Sequence, residues 1–554
     1  MCSSAAVAEG VLEQLKASNA RNKTFPLVYD RTAVKVHLIE TEPWFGTKGK
    51  GAGYSGGNKH DFALGIPVND LPKTFQDAVY FAASLEEVGY IWIDSLCIIQ
   101  HDTQDWLQQS AVMDRVYGET FLNLSATASL NSNGGLFRNG DFEQLEETEI
   151  SLNIEGLPQA YEKKDLPTCL LERKRQLLRC CMVVDVSFWA NEVDKGPVNT
   201  RGWVLQERLL SPRVLHFCWH QIGWECSCSG GMEGPIANEI HHKSSAGHQS
   251  RYHSIIEGIR QKTIDTHSDA NTITYSPLNL WAAIVRTYSK TAISHPQDKL
   301  VALSGLARII AEETKCGYVA GLWRTDFESQ LLWFVEPAFN QSDRIFSNPA
   351  TIPDNYYAPS FSWAAIDVTG HGITYTTIAN RSLFIRVEDI AVETLTNNEF
   401  GLVSEARIMM WGKLREARLV SRPSNRFGWY LMDRDDLDAE LHTNVYLDCP
   451  QRDLDCIDTH TRVFVLPVVS EVGNVGTSRN EYLLCLILRL DRKDATFRRI
   501  GMTKLSPHAD RKAMKSLLVD GRAGYKILEV LSSDAMLPHD VYDRKTGMHR
   551  LFLV

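Results

Sequence analysis

The sequence predicts an α/β domain in its N-terminal half, a parallel sheet flanked by helices, followed by a helical segment and a β-rich C-terminal region. Three observations carry this reading. Between Pro72 and Thr127, two amphipathic helical patterns alternate with two strand-like runs, the order that suits a parallel sheet. Apolar stripes at helical spacing recur from Leu278 to Val335. From Phe384 onward, runs rich in β-branched and aromatic residues are separated by turn residues. The expected divisions are an N-terminal extension at 1–32, the α/β domain at 33–230, a mainly helical region at 231–340 and the β-rich region at 341–554. A chain of 554 residues, 44% hydrophobic and 23% charged, has room for several folding units and is too apolar for extended disorder.

Each element has a local reason. A weak helix near Val11–Lys16 and a strand-like run at Ala33–Ile39 come first. The Gly-rich stretch Gly46–Gly57 has no Gly-Lys-Ser/Thr ending and reads as a flexible loop, not a phosphate loop. After Pro72, residues Phe75, Val79, Ala82, Leu85 and Val88 form one helical face, closed by Gly89. Tyr90–Asp94 reads as a buried strand and Ser95–Asp102 as a loop. Asp105 opens a second helix, with Gln108 placed as in a capping box. Phe121–Thr127 alternates apolar and polar residues, as a half-buried strand does. The stretch from Asp141 to Leu166 is acidic and irregular, and a strand follows at Cys180–Val186. Thr200 is placed to cap a helix over Arg201–Leu210, which Ser211-Pro212 stops. Val214–Cys226 reads as a hairpin and the polar run Gly230–Thr272 as a loop with a short helix. Thr325 with Glu328 suggests a capping box for a further helix. Candidate strands of the last region are Phe384–Glu388, Arg407–Trp411, Val463–Val469 and Tyr482–Leu490.

Charge and composition exclude several classes. With 58 basic and 68 acidic residues the net charge is −10, which disfavours nucleic acid as a partner. No stretch reaches the roughly 18 apolar residues of a membrane span. The N-terminus lacks a signal-peptide pattern, so a soluble cytoplasmic protein is expected. The 12 cysteines are scattered without a framework spacing. His216, Cys218, His220, Cys226 and Cys228 resemble a metal set by count. They also alternate with Leu215, Phe217 and Trp219 at a strand period, so a hairpin is expected and no metal is assigned; a zinc site is the weaker alternative.

Several strings stand in a telling order: Leu71-Pro-Lys-Thr-Phe-Gln-Asp-Ala-Val79, Tyr90-Ile-Trp-Ile-Asp-Ser-Leu-Cys-Ile-Ile-Gln100, Asp105-Trp106 with Met113 and Tyr117, Thr200-Arg-Gly-Trp-Val-Leu-Gln-Glu-Arg-Leu-Leu-Ser-Pro-Arg213 and Trp224-Glu-Cys226. Together they closely resemble the fungal heterokaryon incompatibility (HET) domain family over about 33–230. The strings Asp298–Gly305 and Ala358–Ala364 resemble extensions that such proteins carry. The resemblance implies a role in nonself recognition and programmed cell death after fusion of unlike fungal cells, and protein partners, self-association included. It also implies a remote relation to the Toll/interleukin-receptor (TIR) domain, some members of which cleave the nicotinamide–ribose bond of NAD. Two departures stand out. The Ser-x-Cys-Trp-Gly strand usual in the family is absent, with the Gly-rich stretch in its place. Gln109 stands where relatives often have Glu, and it cannot ionise.

Within this frame Asp94 and Glu207 are the candidate catalytic carboxylates, with NAD as candidate substrate. Asp94 is expected at the carboxyl end of a strand, where open α/β sheets bind ligands. There it would hold ribose hydroxyls or stabilise a cationic sugar transition state. The competing reading is a cap on the following loop. Glu207 sits on an apolar helix, as a site acid or as the partner of Arg201, Arg208 or Arg213. Trp92, Ser95, Arg201 and Trp203 are the candidate ligand-binding residues, the tryptophans as stacking surfaces or as core. Cys97 lacks a nearby base in the sequence and reads as a buried thiol. Ser304-Gly305 is not a nucleophile elbow. Two functions stay open: a nucleotide-binding, NAD-cleaving effector, or a non-enzymatic interaction module with a degenerate site.

Overall fold

The computed structural model describes residues 37–38, 66, 68–85, 88–138, 149–153, 178–182, 187–226, 230–232, 277–340, 345–368, 371–375, 382–422, 428–433, 440–442, 444–457, 462–475, 478–491, 493–506, 510, 514, 517–518 and 542–554. The expected helix at Val11–Lys16, the Gly-rich stretch, most of 141–166 and of 230–272, and Cys228 lie outside these residues. The chain divides into two compact units, one from Met1–Cys97, Phe121–Val198 and Arg213–Ser254, the other from Ile98–Thr120, Asn199–Pro212 and Ile255–Val554.

The first unit carries a five-stranded sheet whose spatial order is its chain order: β1 (His37–Leu38), β2 (Asn123–Ser125), β3 (Arg213–Phe217), β4 (Ile222–Cys226) and β5 (Gly230–Met232). The β1–β2 and β2–β3 pairs are parallel, and the two later pairs are antiparallel. The hairpin read in the sequence is β3–β4. A separate antiparallel ladder joins Glu149–Asn153 to Leu178–Met182.

Helix α1 (Lys73–Ala83) starts at Pro72, whose fixed φ suits a helix entry, and buries Phe75, Ala78, Phe81 and Ala82. These side chains pack with Ile91, Ile93, Leu122, Leu124, Leu215, Phe217 and Trp224 in one apolar cluster. The helix stops before Gly89 because Ser84 donates its hydroxyl to the Phe81 carbonyl at 2.6 Å and its N–H to the Tyr80 and Phe81 carbonyls. Asp77 on the same helix accepts the Leu136 N–H at 3.0 Å, and Thr74 accepts that of Gly135 at 3.0 Å.

Two expectations are corrected here. Tyr90–Trp92 join no strand among the described residues; Ile93 makes an isolated bridge, and Asp94 opens a short helix, α2 (Asp94–Cys97). The Ile93 carbonyl already accepts the N–H groups of Leu96 and Cys97, so the helical turn takes over before a strand can extend. The alternation in Phe121–Thr127 does not mark a solvated face either. Asn123, Ser125 and Thr127 are as buried as Leu122, Leu124 and Ala126, and the apolar cluster of Phe188, Trp189, Val193 and Cys218 lies in the same unit.

The second unit begins with helices α3 (Thr103–Ser110), α4 (Met113–Gly118) and α5 (Gly202–Leu210), then α6 (Pro277–Tyr288), α7 (Ser304–Thr314) and α8 (Phe327–Gln330). The cap of α3 is Asp102, which accepts from the Gln104 and Asp105 N–H groups. Asp105 lies inside the helix and accepts the Ile99 N–H at 2.7 Å. The residue before α5 is Arg201, and its own side chain makes no capping bond. The Gly202 N–H is satisfied by the Ala292 carbonyl at 2.7 Å, and Ala292 donates back to Thr200 at 2.8 Å. The Thr325–Glu328 capping box does not form. Asp326 takes a left-handed φ of 51°, and the Gln330 amide bonds the backbone of Trp323 and Thr325, so α8 ends after one turn.

The rest of this unit is dominated by an eleven-stranded sheet. Its strands are β6 (Arg386–Thr394), β7 (Val403–Gly412), β8 (Arg415–Ser421), β9 (Trp429–Asp433), β10 (Glu440–His442), β11 (Val445–Leu447), β12 (Val463–Val475), β13 (Ser478–Asp491), β14 (Thr496–Leu505), β15 (Tyr542–Asp543) and β16 (Met548–Leu553). The order is β6-β7-β16-β14-β13-β12-β8-β9-β10, with β11 beside β14 and β15 beside β16. Pairing is antiparallel except between β14 and β16. Of the four strands read in the sequence for this region, Arg407–Trp411, Val463–Val469 and Tyr482–Leu490 lie within β7, β12 and β13, while Phe384–Glu388 overlaps β6 only from Arg386 onward.

Arg499 on β14 is buried at 2% exposure. Its guanidinium makes two 2.9 Å bonds to Asp448, donates to the carbonyls of Leu331 and Trp333, and stacks 3.6 Å above the Trp333 ring. Removing one partner of such a group leaves a buried charge and two carbonyls unmet. Arg499→Met is expected to destabilise the protein by about 3–5 kcal/mol, read as a lower urea midpoint. The double variant Arg499→Met, Asp448→Leu should recover part of the loss.

Candidate functional site

Asp94 is the first residue of α2. It is half-buried, and its carboxylate accepts the Ser95 N–H at 2.6 Å, which holds the turn closed. Trp92 just before it is 7% exposed, and Ser95 is buried with a hydroxyl that has no hydrogen-bond partner among the described residues. Trp92, Asp94 and Ser95 therefore form one short stretch of the first unit. Asp94 sits at the start of a helical turn and not at a strand's carboxyl end. Cys97 closes the turn, half-buried and outside any disulfide.

Arg201, Trp203 and Glu207 lie on α5 or at its entry, in the second unit. Arg201 is the residue before the helix and bridges to Ala292 through its backbone. Trp203 meets Trp106 edge-to-face at 6.4 Å between ring centres, and its indole N–H donates to Asp298 at 3.4 Å. Glu207 is buried, at 7% exposure, and its carbonyl accepts the Ser211 hydroxyl at 2.7 Å, which ends the helix. The six candidate residues thus form two local groups, one in each unit.

The neighbouring Gln206, which carries no role in the sequence reading, has the clearest structural task. Its side-chain oxygen accepts the N–H of Gly305 at 2.7 Å and that of Leu306 at 3.4 Å. These are the orphan amides of the first turn of α7, whose own N-cap, Leu303, has no side-chain oxygen. Arg308 on α7 pairs with Asp114 on α4 at 2.5 Å. A polar line also runs through the first unit. Glu225 bonds His216 Nε2 at 3.1 Å, His216 Nδ1 bonds Thr127 at 3.0 Å, and Thr127 bonds Ser125 at 2.9 Å. All four residues are at most 1% exposed, and Trp189 packs edge-on against the imidazole. His216 thus faces Glu225 and Thr127, while Leu215 and Phe217 join the opposite apolar cluster. Among the described residues no group of three or more His, Cys, Asp or Glu is placed to hold a metal.

The sequence pattern of the family described as Heterokaryon incompatibility protein (HET) matches residues 46–207. This chain carries a HET domain. No curated protein and no solved structure matches the chain. The matched stretch holds all six candidate residues and ends on Glu207. It is not a single compact body, because residues 98–120 and 199–207 of the HET domain belong to the second unit, which also contains the helices that follow the domain. No helix among the described residues is long and apolar enough to cross a membrane.

Asp298, the acceptor for Trp203, carries a pH signature. Burial pushes its carboxyl from 3.8 up to about 6, against the opposing pull of His295 and the Trp203 hydrogen bond. The folded state therefore holds this proton more tightly than the unfolded chain. The resulting stabilisation is complete below about pH 4 and is lost as the pH rises to about 6. Asp298→Asn keeps an acceptor for Trp203 without the charge. Its stability relative to wild type is expected to grow across that window by up to about 3 kcal/mol and then level off. Urea midpoints across the pH range check this, and wild-type and variant curves that run parallel would contradict it.

Proposed function

We propose that this protein is an effector of fungal nonself recognition whose HET domain triggers cell death by binding a nucleotide and cleaving the nicotinamide–ribose bond of NAD. The observation that carries the reading is the family match over 46–207, which holds Trp92, Asp94, Ser95, Arg201, Trp203 and Glu207. In this reading Asp94 and Glu207 act as the carboxylates that hold ribose hydroxyls and stabilise the cationic sugar as the bond breaks. Trp92 and Trp203 offer stacking surfaces, and Ser95 and Arg201 offer polar contacts to the rest of the nucleotide. The protein would work in the cytoplasm with protein partners, a second copy of itself included.

A second reading is an interaction module of the same family without catalysis. The Asp94 bond to the Ser95 N–H favours it, because that carboxylate then has a structural place. The absent Ser-x-Cys-Trp-Gly strand and Gln109 favour it as well.

Nicotinamide release from NAD by the purified full chain separates the two. The first reading expects release, reduced about 100-fold or more by Asp94→Asn or Glu207→Gln with the melting temperature unchanged. No release by the wild type, at high protein concentration and with oligomerisation enforced, would remove the NAD reading. Cell death on expression without NAD loss would then support the interaction module.

A further inference from the structure

Outside the residues of the HET match, the second unit gathers arginines from β13, β14 and the turn that follows β11. The register places Arg489 of β13 directly opposite Arg498 of β14. Like charges in that position repel and weaken the ladder. Asp453 relieves the repulsion. Its Oδ1 accepts from Arg498 at 2.6 Å and lies 3.6 Å from Nη1 of Arg489. Asp453 is 1% exposed and is fixed by its turn, in which its N–H bonds the Pro450 carbonyl and its carbonyl accepts the Cys456 N–H. Arg489 also forks onto Asp455, with bonds of 2.8 and 2.5 Å. That second carboxylate is 58% exposed.

A third arginine has no such partner. Arg452 precedes Asp453 in the same turn and is exposed, and its guanidinium makes no hydrogen bond or ion pair among the described residues. Desolvation, and after it the charge of Arg498, holds Arg452 below its ordinary range; Asp453 opposes this and Arg489 adds to it. Asp448 does not help to neutralise the group, because it is buried against Arg499. Three arginines therefore share two aspartates, one fixed and buried, the other exposed.

We propose that Arg452, Arg489 and Arg498 form a binding site for a phosphate dianion, and that Asp455 is a built-in carboxylate which the phosphate displaces from Arg489. With Asp455 turned to solvent, the three arginines, Asp453 and a dianion sum to zero charge. Guanidinium forks match phosphate oxygens and stay charged at any working pH. An exposed arginine–carboxylate pair contributes little, so an anion with more oxygens and more charge exchanges with it readily. Buried Asp453 is not displaced, and it keeps Arg498 and Arg489 oriented. Leu454, 63% exposed between the two aspartates, offers an apolar contact to whatever carries the phosphate. The phosphate has two sources, a phosphorylated side chain of a protein segment or free inorganic phosphate.

The test is isothermal titration of the full chain with inorganic phosphate and, separately, with N-acetyl-phosphoserine amide, chloride holding the ionic strength constant. The wild type is expected to bind. Arg452→Gln is expected to weaken binding about tenfold, and Asp455→Asn to tighten it severalfold. Both side chains are exposed, and both variants are expected to melt as the wild type does in chloride. Opposite changes in affinity at unchanged melting temperature are what a merely structural cluster would not give. Tighter binding of the phosphoserine amide assigns the site to a phosphorylated protein segment, and equal binding of the two probes assigns it to free phosphate. No binding of either probe at millimolar concentration, or binding that neither variant alters, would overturn the proposal.

Discussion

The second unit depends on a hydrogen bond that only a glycine permits. The first turn of α7 needs acceptors for its amides, and its own N-cap is a leucine. The acceptor comes from Gln206 on α5. That approach works because position 305 has no side chain. A Cβ there would lie 2.5 Å from the Asp114 Cβ, closer than atoms can pack, and a tight 3.1 Å from the Gln206 oxygen. One contact therefore brings α4, α5 and α7 together. The Arg308–Asp114 pair, the Trp203–Asp298 bond and the Trp106–Trp203 contact then hold them in place.

This arrangement changes how the family resemblance is understood. The strings around Asp105-Trp106, Met113, Tyr117 and Thr200–Arg213, together with Asp298–Gly305, are distant in sequence. In this chain the second unit gathers most of them into one body. Residues shared within a family can thus be the faces of a packed helix cluster as readily as the wall of a site. For Trp203 and Gln206 the packing role is visible in their bonds. For Asp94 the structural role and the chemical one remain compatible, since a carboxylate that holds a turn can also face a ligand. Buried polar groups follow the same logic elsewhere. Arg499 ties β14 to Asp448 and to the segment before β6, and the His216–Glu225 pair sits inside the first unit's sheet. In each, desolvation is offset by a full set of partners.

Amphipathic patterns were the legible part of the fold. The stripe of α1, the β3–β4 hairpin and the strands at Arg407–Trp411 and Tyr482–Leu490 follow from local periodicity, which the backbone obeys when one face is buried. Tyr90–Asp94 was misread because a five-residue apolar run carries no period, and the backbone bonds from Ile93 decide for a turn. The Thr325–Glu328 pattern failed because the Cys316 sulfur takes both groups of Thr325 that the box needs, its N–H at 3.2 Å and its hydroxyl at 3.1 Å. The site was legible as a set of residues but not as an arrangement. A glutamine beside a glutamate on a helix gives no sign of a partner about a hundred positions later. A lysine after an aspartate gives no sign that it will be buried against the carbonyl of Ile366. Those facts exist only once distant segments meet.

Native-state hydrogen exchange across low urea concentrations tests the central claim most directly, because it reports which helices open together. The account predicts that the amides of α4, α5 and α7 merge into one opening event with a shared denaturant dependence, the Gly305 amide among them. An α5 that opens with strands β3 and β4 while α7 stays closed would contradict it.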